Sequence, residues 1–79
     1  MKYLGYEING DGIVHWRLNG GLLERYFFYA LHPSWESVQV NNPRGFDLEG
    51  YCRMAGYCFA KDIYQATKIK ERCLYEKNN

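Results

Sequence analysis

Seventy-nine residues make one small domain, with too little interior for a deep catalytic cavity. A formal charge of +1 provides no overall field for gripping a phosphate backbone. Aromatic residues at 18%, eight of them tyrosine, are the unusual feature, so surfaces rather than motifs must carry the reading.

Lys2 to Asn9 alternates, with Leu4, Tyr6 and Ile8 on one side and Tyr3, Gly5 and Glu7 on the other, as a half-buried strand does. Asn9-Gly10-Asp11-Gly12 holds both an NG and a DG pair, the strongest short-range hairpin signal. The returning strand, 13–18, sets Val14, Trp16 and Leu18 against Ile13, His15 and Arg17. Asn19-Gly20-Gly21 is a second turn.

Residues 22–31 carry two readings. Tyr26, Phe27, Phe28 and Tyr29 favour a third strand, whereas Leu22, Leu23, Tyr26, Phe27, Ala30 and Leu31 also match helical spacing. The glycine turn directly after a strand favours strand; a helix there would give the order β-β-α-β-α. His32-Pro33-Ser34 ends this segment. Trp35 to Val40 is expected as a short fourth strand, and 41–46 as the loop into the last element.

That element is predicted as one amphipathic helix over 47–75. Leu48, Cys52, Ala55, Phe59, Ile63, Ala66, Ile69 and Cys73 fall on one face at helical spacing. Asp47 is placed to cap it, Glu49 suits the positive end of the dipole, and Phe46 is placed to staple to Tyr51. Lys68, Lys70, Arg72 and Lys77 suit the far end. The expected fold is α+β: a single domain over 1–79, with an antiparallel meander of about four strands over 2–40 packed on the long C-terminal helix.

Charge is unevenly spread. Residues 1–52 carry four basic and six acidic side chains and residues 53–79 six and three, so the halves are −2 and +3. Cys52, Cys58 and Cys73 all fall in the predicted helix. Their odd number, with Cys52 and Cys58 about 120° apart on a helical wheel, argues against a disulfide framework. The expectation is buried thiols in a reducing cytoplasm, in a chain with no leader and no membrane-spanning apolar run.

No enzyme is expected. His15 lies mid-strand and His32 beside a proline, and no pattern ties either to Cys58 or Ser34. GxSxG, HExxH and P-loop motifs are absent, and zinc would need a CxxC spacing with nearby histidines. No metal or other cofactor is therefore expected.

Two surfaces are candidates for a partner. Tyr57, Lys61, Tyr64 and Lys68, with Arg53 nearby, form a ridge opposite the predicted core stripe, with Tyr75 further along the same back. Tyrosine with arginine is the composition of binding hot spots. The alternative is the open sheet face bearing Tyr3, His15, Arg17, Tyr26 and Phe28. Helped by Lys61, Lys68 and Arg72, that face is also where bases would stack. Near-neutral charge, Glu7 and Glu24 close to it, and the lack of an RNP-like run all weigh against nucleic acid. The expected partner is a protein, a host protein or a second copy, with a homodimer anticipated and no membrane. In size and layout the chain resembles small phage-encoded inhibitors, anti-CRISPR and anti-restriction proteins among them. That resemblance of overall character implies a compact, cofactor-free domain that blocks a host enzyme through one surface, and it assigns no residue.

Overall fold

The computed structural model describes the backbone of residues 1–28 and 30–77, and the side chains of these except Glu71 and 73–77. The expected placements of Tyr29, Cys73 and Tyr75 therefore lie outside the described residues.

The first hairpin forms as its turn chemistry requires. Strands β1 (Lys2–Asn9) and β2 (Gly12–Asn19) pair antiparallel up to Asn9 opposite Gly12. The Asn9 carboxamide oxygen accepts from the amides of Asp11 and Gly12 at 2.8 and 3.1 Å, closing the turn on itself. Residues Leu22–Phe27 then form strand β3, which settles the strand-or-helix ambiguity; the strand ends four residues before Leu31. Its neighbour β4 is only Trp35–Ser37, shorter than the expected run to Val40.

The long helix is where expectation fails. Helix α1 spans Leu48–Ala55 and stops at Gly56, which sits in the left-handed region at φ 79°. The Gly56 and Tyr57 amides turn back to the carbonyls of Arg53 and Cys52, a glycine-capped helix end. Cys58–Ala60 then forms a short strand, β5, antiparallel to β1, and only afterwards does helix α2 run over Ile63–Lys77. Its start is marked by Asp62, whose carboxylate accepts from the Gln65 amide at 2.7 Å, while the Gln65 side chain accepts from the Lys61 amide at 2.9 Å. This is a variant of the capping box. The start of α1 is as expected, with Phe46 and Tyr51 rings 5.7 Å apart, although the Asp47 side chain makes no capping hydrogen bond.

The result is an α+β domain with a five-stranded antiparallel sheet in the order β4-β3-β2-β1-β5. Its two faces have different covers. On one, Val14, Trp16, Leu18 and Leu23 pack with Leu48 and Cys52 of α1, sealed by Phe46, Tyr51 and Tyr57. On the other, Ile8 and Ala60 pack with Ala66 of α2, joined by Tyr6, Ile13, Cys58 and Ile69. The stripe expected on a single helix is thus divided. Leu48 and Cys52 face one side of the sheet, Ala66 the other, and Ala55 and Ile63 are exposed.

The thiol reading changes as well. Cys52 is free and buried, but Cys58 is disulfide-bonded, its partner sulfur outside the described side chains. The thiol-based argument for a reducing compartment does not hold for Cys58. Among the described residues, no helix is long and apolar enough to cross a membrane.

Candidate functional site

One irregularity decides what the second face presents. The pairing of β1 with β2 shifts between Tyr3 and Gly5, so Tyr3 lies opposite Arg17 while Gly5 lies opposite Trp16. Strict alternation would put Tyr3 on the sealed face with Gly5 and Glu7. The bulge instead moves Tyr3 to the side of Tyr6 and His15. Gly5 is required there, at φ 131°, because a Cβ would meet the Ala60 carbonyl oxygen at 2.8 Å and the Phe59 ring at 2.9 Å.

Cross-strand register completes the surface. His15 lies opposite both Tyr6 and Tyr26, and Tyr26 opposite Trp35, so four adjacent strands place rings on one face. His15 is the hub, stacked on Tyr6 at 4.3 Å and on Tyr3 at 5.3 Å, with Trp35 at 5.1 Å. Tyr26 closes the far side against Trp35 at 5.3 Å and Phe28 at 5.1 Å. The Arg17 guanidinium lies 3.6 Å from the Trp35 ring centre and binds Glu24 at 2.8 Å. Tyr3 is 64% and Phe28 48% exposed, because α2 covers only the β1–β5 end of this face.

At that boundary a groove of about 400 Å³ runs between Tyr3, Tyr6 and His15 on one wall and Lys61, Asp62 and Ile63 on the other. Burial pushes the Tyr6 hydroxyl above its ordinary pKa, helped by the Asp62 carboxylate and then by Tyr3. Burial, with Arg17 second, pulls His15 below its ordinary value. At neutral pH His15 is therefore an uncharged ring within the cluster, able to stack, donate and accept. Among the described residues, no three His, Cys, Asp or Glu side chains converge as a metal site.

The expected residues divide in two groups. Tyr3, His15, Arg17, Tyr26 and Phe28 are brought together on one surface, and they gain Tyr6 and Trp35, which the sequence reading does not single out. Trp35 is legible as a strand residue, but its side depends on the register of β4, and the grouping of Tyr6 with Tyr3 depends on the bulge. The ridge of Tyr57, Lys61, Tyr64 and Lys68 does not exist as one helical row, because the chain between 56 and 62 is not helix. Tyr57 is half-buried, 6.3 Å from the Tyr51 ring. Lys61 lies in the connection before α2, and Arg53 stands on α1. Only Tyr64 and Lys68 share a helix face, the ammonium 4.6 Å from the ring centre. Comparison with protein-family models, curated proteins and solved structures finds no match to this chain.

Proposed function

We propose that the protein is a non-enzymatic binding module whose working surface is the uncovered aromatic face, and that its partner is a protein. The observation that carries this reading is the continuous ring cluster from Tyr3 through His15 and Trp35 to Phe28, left open by α2. Contiguous exposed aromatic surface marks interaction sites, and tyrosine and tryptophan offer large contacts with few torsions to immobilise.

A nucleic acid is the second reading, since rings beside an arginine are a stacking platform. It is weaker for a specific reason. The arginine on the face is neutralised by Glu24 and covers Trp35 itself, and the rings already stack on one another. The inhibitor role rests on the resemblance in size and layout alone.

The test is capture from lysate with three proteins: wild type, Tyr3→Ser with Phe28→Ser, and Tyr64→Ala with Lys68→Ala. The first pair should abolish retention of a specific protein while the second leaves it intact. Retention lost only with the second pair would move the site to α2. Sub-micromolar binding of a short oligonucleotide at about 0.15 M salt would put the stacking platform first.

A further inference from the structure

We infer that the partner of this face includes a second copy of the chain, docked about a two-fold axis beside the groove, with Lys61 of each copy set against Asp62 of the other. The inference rests on the protein-binding reading above and names an occupant for the same surface.

The charges on the face point to it. Among the described residues that pair on this face or line its groove, the charged side chains are Arg17, Glu24, Lys61 and Asp62, two of each sign. Arg17 and Glu24 satisfy each other at 2.8 Å. Lys61 and Asp62 are left at the groove wall, and among the described residues neither takes part in an ion pair. One Asp62 oxygen accepts from the Gln65 amide as the helix cap, and the other has no hydrogen-bond partner among the described residues.

A polyanion or a strongly charged peptide meets no net attraction on such a surface. A copy of the surface itself does. In a two-fold interface the same patch lies on both sides, so adjacent opposite charges can cross-pair twice, Lys61 to Asp62 and Asp62 to Lys61. Complementary charges fix the orientation of the approach, while the exposed Tyr3 and Ile63 beside them bring apolar area to bury.

The free strand edge agrees with this placement. β5 pairs only with Tyr6, Glu7 and Ile8 of β1, so the Lys2–Leu4 stretch has no strand on that side among the described residues. An open edge is a template for another chain, and this one borders the same groove.

Charge reversal tests the pairing. Light scattering across a concentration series should show a dimer for the wild type. Lys61→Glu and Asp62→Lys should each weaken it by about tenfold or more. An equimolar mixture of the two should restore it. In the mixed dimer the two introduced side chains meet as an opposite-charge pair, and the native Asp62 of one copy still meets the native Lys61 of the other. Asp62→Lys also loses the helix cap, so thermal melting accompanies each sample. Asp62→Asn, which keeps a capping oxygen, should weaken the dimer roughly threefold or more. A dimer indifferent to these changes, or a mixture that stays monomeric, overturns the pairing. So does a wild type that is monomeric throughout, and in that case capture that still depends on Tyr3 and Phe28 leaves the wider protein-binding reading standing.

Discussion

The two faces of the sheet are built from the same kinds of residue and end in opposite conditions. On the α1 face, Trp16 is 1% exposed, stacked on Phe46 at 5.2 Å, with its indole N–H donated to the buried Glu7 carboxylate at 3.1 Å. On the α2 face, Trp35 is only half-buried, among rings that include two exposed ones. The difference is the cover. The eight residues of α1 stand nearest β1 and β5, and Val38, Val40 and Phe46 of the loop before it carry the cover on toward β3, whereas on the other face α2 covers the β1–β5 end. Aromatic content alone does not mark a binding surface; an aromatic cluster with no element of the chain laid over it does.

Truncation should separate the faces most sharply. Trp16→Ala empties the sealed core and leaves Glu7 without its indole donor, so unfolding should become easier by ~3–5 kcal/mol. Tyr3→Ser with Phe28→Ser should cost no more than ~1 kcal/mol, the scale of an exposed aromatic pair. Urea melts give both values, and equal losses would erase the distinction between a packing face and a working face.

Gly5→Ala sits between these extremes. The added methyl must displace Phe59 or the Ala60 carbonyl at a backbone conformation that disfavours side chains, a cost of ~1–3 kcal/mol. Hydrogen exchange should show the loss at the β1–β5 pairing first. An unperturbed Ala60 amide would mean that β5 is not held as described.

Acidification through the histidine range should give the smallest effect, and His15 places it on the open face. The fold lowers the His15 pKa below the ordinary 6.5, so the unfolded chain takes up the proton first. Stability is then full above 6.5 and declines as pH falls below it, until His15 in the folded protein is also protonated. His15→Gln should flatten that slope. An NMR titration midpoint for His15 at or above 6.5 would contradict the burial assigned to it.

What was legible in the sequence follows from range. The Asn9–Gly12 turn and the alternation around it are local, so the hairpin and the buried set Val14, Trp16 and Leu18 could be read directly. The break in the C-terminal helix was also written locally, in Gly56 and in the spacing of Asp62 to Gln65. It was hidden because β5 is three residues long, too short to interrupt a helical pattern of apolar residues. Faces were harder still. The side on which Tyr3 stands depends on a bulge whose local trace is the mid-strand Gly5, and the side of Trp35 on pairing with Tyr26, which has no signal within a few residues. The ridge of Tyr57, Lys61, Tyr64 and Lys68, with Arg53 nearby, follows from one unbroken helix; with the helix broken, only Tyr64 and Lys68 stay together on α2.

The chain has two tryptophans, one on each face, and their indole N–H signals in a two-dimensional ¹H–¹⁵N spectrum give a direct comparison. As protein concentration is raised, the Trp35 signal should shift together with amides around His15 and Lys61. The Trp16 signal, fixed by Glu7, should stay in place. Shifts centred on Trp16 and α1, or on Tyr64 and Lys68 with Trp35 still, would contradict the assignment of the uncovered aromatic face as the surface through which this protein meets its partner.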